Sequence, residues 1–136
     1  DASKNTGDER PKLLRIFCEL AMKSGMLLGI LFFLVGNILA WFQYNSQFVW
    51  EYWKDKIVLS NLLFAVPMGM CFWMAVKNIV ASTNELWASK LVGFGVSNAV
   101  FAVMTYIFMK ESIFTAKTMT CMILATAIIG IQIFWK

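Results

Sequence analysis

The sequence predicts an all-α membrane protein whose chain crosses the bilayer four times, with both termini on the same side. Composition is the first observation, because 60% of the 136 residues are hydrophobic and 15% are charged, whereas soluble domains have about 25% charged residues. Arrangement is the second, since four apolar runs each approach the roughly 20 residues that a helix needs to cross about 30 Å of hydrocarbon. A soluble protein of this size could not bury four such runs, because most of its helices keep one face in water. The predicted spans are residues 25–42, 57–76, 84–109 and 115–135.

Residues 1–23 are predicted to form a polar tail and an amphipathic lead-in, ahead of a four-helix transmembrane domain over residues 24–136. Asp1 to Pro11 is polar and without periodicity, which predicts disorder. Between Lys12 and Lys23, apolar and charged side chains occupy opposite sides of a helix. Such a segment either lies in the membrane interface or extends the first span, and the sequence leaves both alternatives open.

The first span contains a GxxxG pair, Gly25 and Gly29, which favours the close approach of another helix. Its end is marked by Trp41, whose amphipathic ring is of the kind that settles at the membrane interface. Asn45-Ser46 can start a turn or a short helix, and Asn45 to Lys56 is predicted to be a short interfacial segment held by aromatic residues.

The second span contains Pro67, with Gly69 close behind it. A proline within a helix removes a hydrogen bond and kinks the chain, which is tolerated in membranes where neighbours compensate. Lys77 ends this span and can extend its ammonium group to the headgroups.

The third span is predicted to begin with a capping box, in which Ser82 and Glu85 satisfy free amides at the helix start. Gly93 and Gly95 remove side-chain bulk at two close positions, which predicts either a close helix crossing or a kink. In the fourth span, Gly130 contributes to a surface of small residues, so helix packing is predicted there too.

The distribution of basic residues predicts how the chain is oriented in the membrane. Five of the twelve Lys and Arg residues precede the first span, and four spans place eight basic residues on one side against four on the other. By the positive-inside rule, both termini are cytoplasmic. We therefore expect an integral protein of the cell (inner) membrane, with the bilayer rather than nucleic acid as its surroundings.

Several function classes are excluded by residue type. The chain has no histidine and three cysteines without CxxC spacing, which argues against zinc sites, imidazole-based triads and disulfides. Gly-rich phosphate loops, paired carboxylates and nucleophile-base pairs are also lacking. We expect neither an enzyme nor a bound metal or cofactor.

Asparagine and glutamine side chains deep within the predicted spans are the candidates for a binding site. Asn37, Asn98 and Gln132 lie within three different spans, and an amide facing lipid is costly, so each should face another helix. One interpretation is that these amides hold the bundle together. The other is a substrate site in which Asn37 and Asn98, with Trp41 and Trp73, bind a neutral or zwitterionic molecule.

Three charged residues surround the predicted start of the third span: Lys77, Glu85 and Lys90. Glu85 and Lys90 are five positions apart, about 140° around a helix, so a pair between Lys77 and Glu85 is more plausible. The alternatives are an interfacial cap with two lysines reaching the headgroups, or a gate at the mouth of a pathway.

The order of features in the second half of the chain resembles the last three helices of the small multidrug resistance proteins, within the drug/metabolite transporter superfamily. These features are Phe72-Trp73, a small-residue turn, Trp87, Gly93-Phe94-Gly95 and the closing segment Tyr106 to Glu111. The resemblance implies a first-helix glutamate that exchanges protons for a cationic substrate. Here the corresponding depth, Leu31 to Phe33, carries no acid, and the loop Gln43 to Lys56 is longer than is usual in that family.

Two functions follow from these observations. The first is a transporter or transporter-like protein for a small organic solute, working as a homodimer because four short helices enclose little volume. The second is a non-transporting structural or accessory subunit of a larger membrane assembly, with the tail and the Asn45–Lys56 segment as docking surfaces.

Overall fold

The computed structural model describes the backbone of residues 9–134 and the side chains of residues 12–128, 130, 131 and 134. Five α-helices follow in chain order: α1 (Glu9–Val49), α2 (Ile57–Ser60), α3 (Val66–Thr83), α4 (Leu86–Met109) and α5 (Ala116–Phe134). A 3-10 turn, Glu51–Trp53, precedes α2, and a π-helical segment, Asn61–Ala65, joins α2 to α3. No β-strand occurs in residues 9–134, so the predicted all-α class is confirmed.

Three stretches are long and apolar enough to cross a membrane, judged by length and composition: Lys12–Val49, Ile57–Thr83 and Leu86–Met109. In α5, the continuous apolar stretch with described side chains, Ala116–Ile128, is shorter. Several helices that could span a membrane are therefore present, as predicted. The fourth crossing and the common side of the two termini stay predictions.

Helix α1 is longer than the predicted first span at both ends. It has 41 residues, which at 1.5 Å per residue is about 60 Å, twice the thickness of the hydrocarbon. The lead-in is thus a helical extension of the span, and its side chains from Lys12 to Ser24 are exposed. The predicted disorder is wrong for residues 9–11, because α1 already begins at Glu9. Pro11 fits there, since proline is tolerated in the first turn of a helix. Residues 1–8 lie outside the described part of the chain.

At Asn45-Ser46, where the sequence allows a turn or a short helix, the backbone is helical. The Asn45 side chain donates a hydrogen bond to the carbonyl of Trp41, one helical turn earlier, at 3.1 Å, and Ser46 is buried. Both residues therefore continue α1, and the chain leaves the helix only after Val49.

The second helical stretch, Ile57–Thr83, is longer than predicted, and its irregularity lies just before Pro67. Proline lacks an N–H, and its ring clashes with the carbonyl four residues earlier. A π-helical segment widens the turn there, which is a common way for a helix to accommodate such a break. The predicted perturbation around Pro67 therefore takes the form of a π segment.

The capping box predicted at the start of the third span is not formed. The Ser82 hydroxyl donates to the carbonyl of Asn78 at 2.8 Å, and the Thr83 hydroxyl donates to that of Ile79 at 2.9 Å, so both belong to α3. Asn84, with φ 57°, closes α3 in the left-handed conformation that asparagine tolerates. Glu85 precedes α4 without a side-chain capping bond.

Close packing of α1 against α3 forms the core. A Cβ added to Gly25 would lie 2.5 Å from Ser82 Oγ, and one added to Gly29 would collide with Ile79 Cγ1. Both glycines therefore lie where α1 closely approaches α3. Gly36 extends the same contact, because an added Cβ would lie 2.7 Å from the Phe72 ring.

The glycines of α4 and α5 differ in role. Helix α4 runs unbroken through Gly93 and Gly95, and a Cβ at Gly93 would lie 3.0 Å from the Phe33 ring. Gly93 therefore serves a close crossing with α1, while Gly95 is half-buried within the unbroken helix. At Gly130 an added Cβ would meet nothing within 4 Å in the described structure, so the packing predicted there stays a prediction.

Aromatic side chains pack together where α1 and α4 end. Trp41 stacks on Phe108 with ring centroids 5.1 Å apart, and Phe42 and Trp50 contact Phe108 edge-on. Trp41 is 3% exposed, so its ring belongs to this cluster rather than to an interfacial belt. The cluster joins the α1–α2 turn to the end of α4.

Candidate functional site

A cavity of about 650 Å³ lies between α1, α3 and α4 and is open along α4, where Leu86 and Trp87 are each 70% exposed and Phe94 is 42% exposed; we call it the three-helix cavity. Helix α1 contributes two lining residues, α3 two, and α4 the rest. The lining residues are Phe33, Asn37, Phe72, Val76, Leu86, Trp87, Ser89, Lys90, Gly93, Phe94 and Ser97.

One wall of the cavity is held by tight packing. The rings of Phe33 and Phe72 contact each other with centroids 5.9 Å apart, and Gly93 lets the Phe33 ring approach the α4 backbone. Phe33 is 7% exposed and joins Ala75 and Ile79 in the core. This wall is therefore continuous with the α1–α3 interface.

Polar groups on the cavity are few. The Asn37 side chain donates to the carbonyl of Phe33 at 2.7 Å, which leaves its second N–H and its oxygen for another partner. Ser89 and Ser97 add hydroxyl groups, and Lys90 is the single charged side chain among the described lining residues. The cavity thus combines aromatic and aliphatic walls with one amide, two hydroxyls and one cation.

Of the four predicted binding residues, the structure brings only Asn37 to this cavity. Trp41 donates from Nε1 to the Thr105 hydroxyl at 3.0 Å, a buried bond that links α1 to α4. Trp73 is 65% exposed. Asn98 is half-buried, and its Nδ2 is enclosed without a partner within the described structure; Gln132 has no described side chain.

The three predicted gate residues have different surroundings. The Lys77 ammonium lies over the Trp73 ring, 5.3 Å from its centroid. Glu85 is exposed in the turn before α4. Lys90 is also exposed, but it is the member of the set that lines the three-helix cavity.

Sequence reasoning missed most of the cavity wall. Lys90, Phe94 and Ser97 follow at intervals of four and three residues, the spacing that places side chains on one helical face. That pattern was readable in the sequence. The contributions of Phe33 and Phe72 were not, because they depend on how α1 crosses α3.

A second, more polar cleft of about 410 Å³ lies between the end of α1 and the start of α2. Gln43 and Asn61 form a side-chain hydrogen bond there, and the Ser60 hydroxyl donates to the carbonyl of Gln43 at 3.2 Å. The Gln43 Oε1 is buried without a partner within the described structure. Among the described residues, no group of three carboxylate or thiol side chains is placed to hold a metal ion.

Comparisons with protein families, with curated proteins and with solved structures give no match to this chain. The resemblance to the small multidrug resistance proteins therefore stays a prediction, supported by the order of residues from Phe72 to Glu111.

Proposed function

We propose that this is a small transporter-like membrane protein that binds a small organic solute in the three-helix cavity. The observation that carries the proposal is the cavity itself. Its volume of about 650 Å³ falls within the roughly 300–1,000 Å³ typical of small-molecule sites. Apolar walls with a few polar groups, placed between helices, are also typical of such sites.

The lining argues for solute binding without the proton exchange implied by the family resemblance. No carboxylate is among the described lining residues, so this site has no acid to alternate between a proton and a cationic substrate. Apolar walls would supply most of the binding energy, and Asn37 and Ser97 would orient the polar part of the solute.

The π segment supports a moving wall. Phe72 and Val76, on α3, follow Asn61–Ala65 and Pro67 along one helical stretch. A π segment interrupts the regular hydrogen bonds and often lies at functional sites. We propose that α3 bends there when the cavity opens, in a homodimer of four-span chains with cytoplasmic termini in the cell membrane.

Asn37→Ala tests the site, and Asn78→Ala is its matched control. Asn78 makes the same bond to the carbonyl four residues earlier, at 2.7 Å, and is likewise half-buried, but it does not line the cavity. We expect Asn37→Ala to weaken solute binding and liposome uptake about two- to tenfold, the effect of one hydrogen bond, with Asn78→Ala unchanged. Equal effects of the two variants across a solute panel would contradict the proposal.

An accessory-subunit function is favoured by one observation, the exposed apolar side of the N-terminal part of α1. Leu13, Leu14 and Phe17 are 63%, 67% and 77% exposed there, on a helix that extends well beyond a single bilayer crossing. Mass measurement of the protein in mild detergent separates the two functions. A stoichiometric complex with unrelated chains supports the subunit, whereas a homodimer supports the transporter.

A further inference from the structure

We infer that the solute of the three-helix cavity is a single-chain amphiphile with an anionic head group, which Lys90 binds. This inference rests on the proposed function and specifies its substrate class. It reverses the charge preference that the family resemblance implies, because that preference requires a carboxylate in the site.

Charge complementarity is the first argument. Lys90 is the sole charged side chain among the described lining residues, and no carboxylate accompanies it. A lysine ammonium is a compact charge with three donors, suited to a carboxylate, sulfate or phosphate group. An ammonium solute in this cavity would meet repulsion from Lys90 without a counter-charge.

The position of Lys90 is the second argument. It lies in the second turn of α4, which begins at Leu86 without a side-chain cap, so the free amides and the helix dipole add to the positive potential. Glu85 is the nearest acid along the chain, but it lies before α4 in extended backbone, is exposed, and is not among the described lining residues. The positive end of the cavity is therefore near the membrane surface, where a head group would remain.

The shape and lining of the cavity are the third argument. From Leu86 to Ser97 the lining on α4 extends for roughly 16 Å at 1.5 Å per residue. Phe33, Phe72 and Phe94 provide apolar walls along this length. A volume in the range of drug-sized ligands favours a single apolar chain or ring system over a two-chain phospholipid.

The test uses the full chain in nanodiscs of zwitterionic lipid and three probes that differ only in head group and carry bromine on the carbon next to it, because Trp87 lies beside Lys90 at the head-group end of the cavity: 2-bromoundecanoate, 2-bromoundecanol and 2-bromoundecyl trimethylammonium. Bromine quenches nearby tryptophan, and Trp87 lines the cavity, so Trp87→Phe identifies the local signal. Binding is corrected for partition into empty nanodiscs. We expect the carboxylate to bind about tenfold more tightly than the ammonium probe.

Substitution of Lys90 should change this preference. Lys90→Gln should weaken carboxylate binding about tenfold and leave the alcohol unchanged, while Lys90→Glu should favour the ammonium probe. Lys90→Arg should retain the wild-type order, which excludes misfolding as the cause. Lys77→Gln is the matched control, because Lys77 lies over Trp73 outside the cavity.

Three results would overturn the inference. These are equal binding of the three probes, loss of carboxylate binding in Lys77→Gln to the same extent as in Lys90→Gln, and displacement of the carboxylate by phosphatidylglycerol added to the nanodisc. The last would assign the site to membrane lipid. The proposed function fails separately, when Asn37→Ala leaves binding and uptake of the whole solute panel unchanged.

Discussion

Replacement of Gly29 by alanine tests the close packing of α1 against α3. The added Cβ would collide with Ile79 Cγ1 and lie 3.1 Å from the backbone oxygen of Ala75. Ala75 and Ile79 are fully buried, so neither can move into free space. Gly69→Ala is the matched control, because Gly69 lies within α3 and an added Cβ there meets nothing within 4 Å.

The magnitude follows from two opposing effects. Alanine stabilises a helix by about 1 kcal/mol relative to glycine, and overpacking of a tight core costs about 1–3 kcal/mol. Gly69→Ala should therefore gain only the helix stabilisation, whereas Gly29→Ala should gain the helix stabilisation and also suffer the overpacking cost. The free energies of unfolding of the two variants should therefore differ by about 1–3 kcal/mol, with Gly29→Ala the less stable.

The assay is unfolding in mixed micelles by titration with sodium dodecyl sulfate, followed by far-ultraviolet circular dichroism. A double-mutant cycle with Ile79→Ala assigns the collision, because this change removes Cγ1 and Cδ1. In that background Gly29→Ala should cost at least about 1 kcal/mol less than in the wild type. Equal stability of Gly29→Ala and Gly69→Ala, or strict additivity with Ile79→Ala, would refute the packing argument.

Two further predictions concern the α1–α4 contact and the topology. Thr105→Val removes the buried acceptor of Trp41 Nε1 and should lower the free energy of unfolding by about 0.5–2 kcal/mol. Thr105→Ser retains the hydroxyl and should keep most of this stability. If the same titration shows an equal loss of stability in both variants, packing rather than the hydrogen bond is the cause. In a background without native cysteines, Glu85→Cys and Lys136→Cys should react with an impermeant maleimide from one side of the membrane and Ser112→Cys from the other. Labelling of Ser112→Cys and Lys136→Cys from the same side would eliminate the fourth crossing.

Helix content and the approximate bounds of the last two helices were predictable because they depend on local properties. A helix in lipid satisfies its own backbone hydrogen bonds, so the length of an apolar run nearly determines its extent. The third predicted span, residues 84–109, corresponds to α4, Leu86–Met109, and the fourth, 115–135, to α5, Ala116–Phe134. The close approach at Gly25 and Gly29 was predictable for a similar reason, since absent side chains permit it whatever the partner.

Helix ends were less predictable, because a hydroxyl or amide can serve two competing bonds. Ser82 can cap the helix that follows or donate to a carbonyl of the helix before it, and its sequence neighbours suit both. In the structure it donates backwards to Asn78. Trp41 posed a similar choice between the membrane interface and a buried partner, and Thr105, 64 residues away, provides that partner.

The sequence by itself determined that the chain is all-α, with helices apolar and long enough to span a bilayer. It also placed an amide, Asn37, and a lysine, Lys90, within two of these apolar helices. Only the tertiary structure decided that these two side chains line one cavity while Trp41, Trp73 and Asn98 do not. The physical reason is that apolarity and helix length are properties of consecutive residues. A cavity is the space left where α1, α3 and α4 fail to fill the gap between them, and the crossing of three helices determines that space.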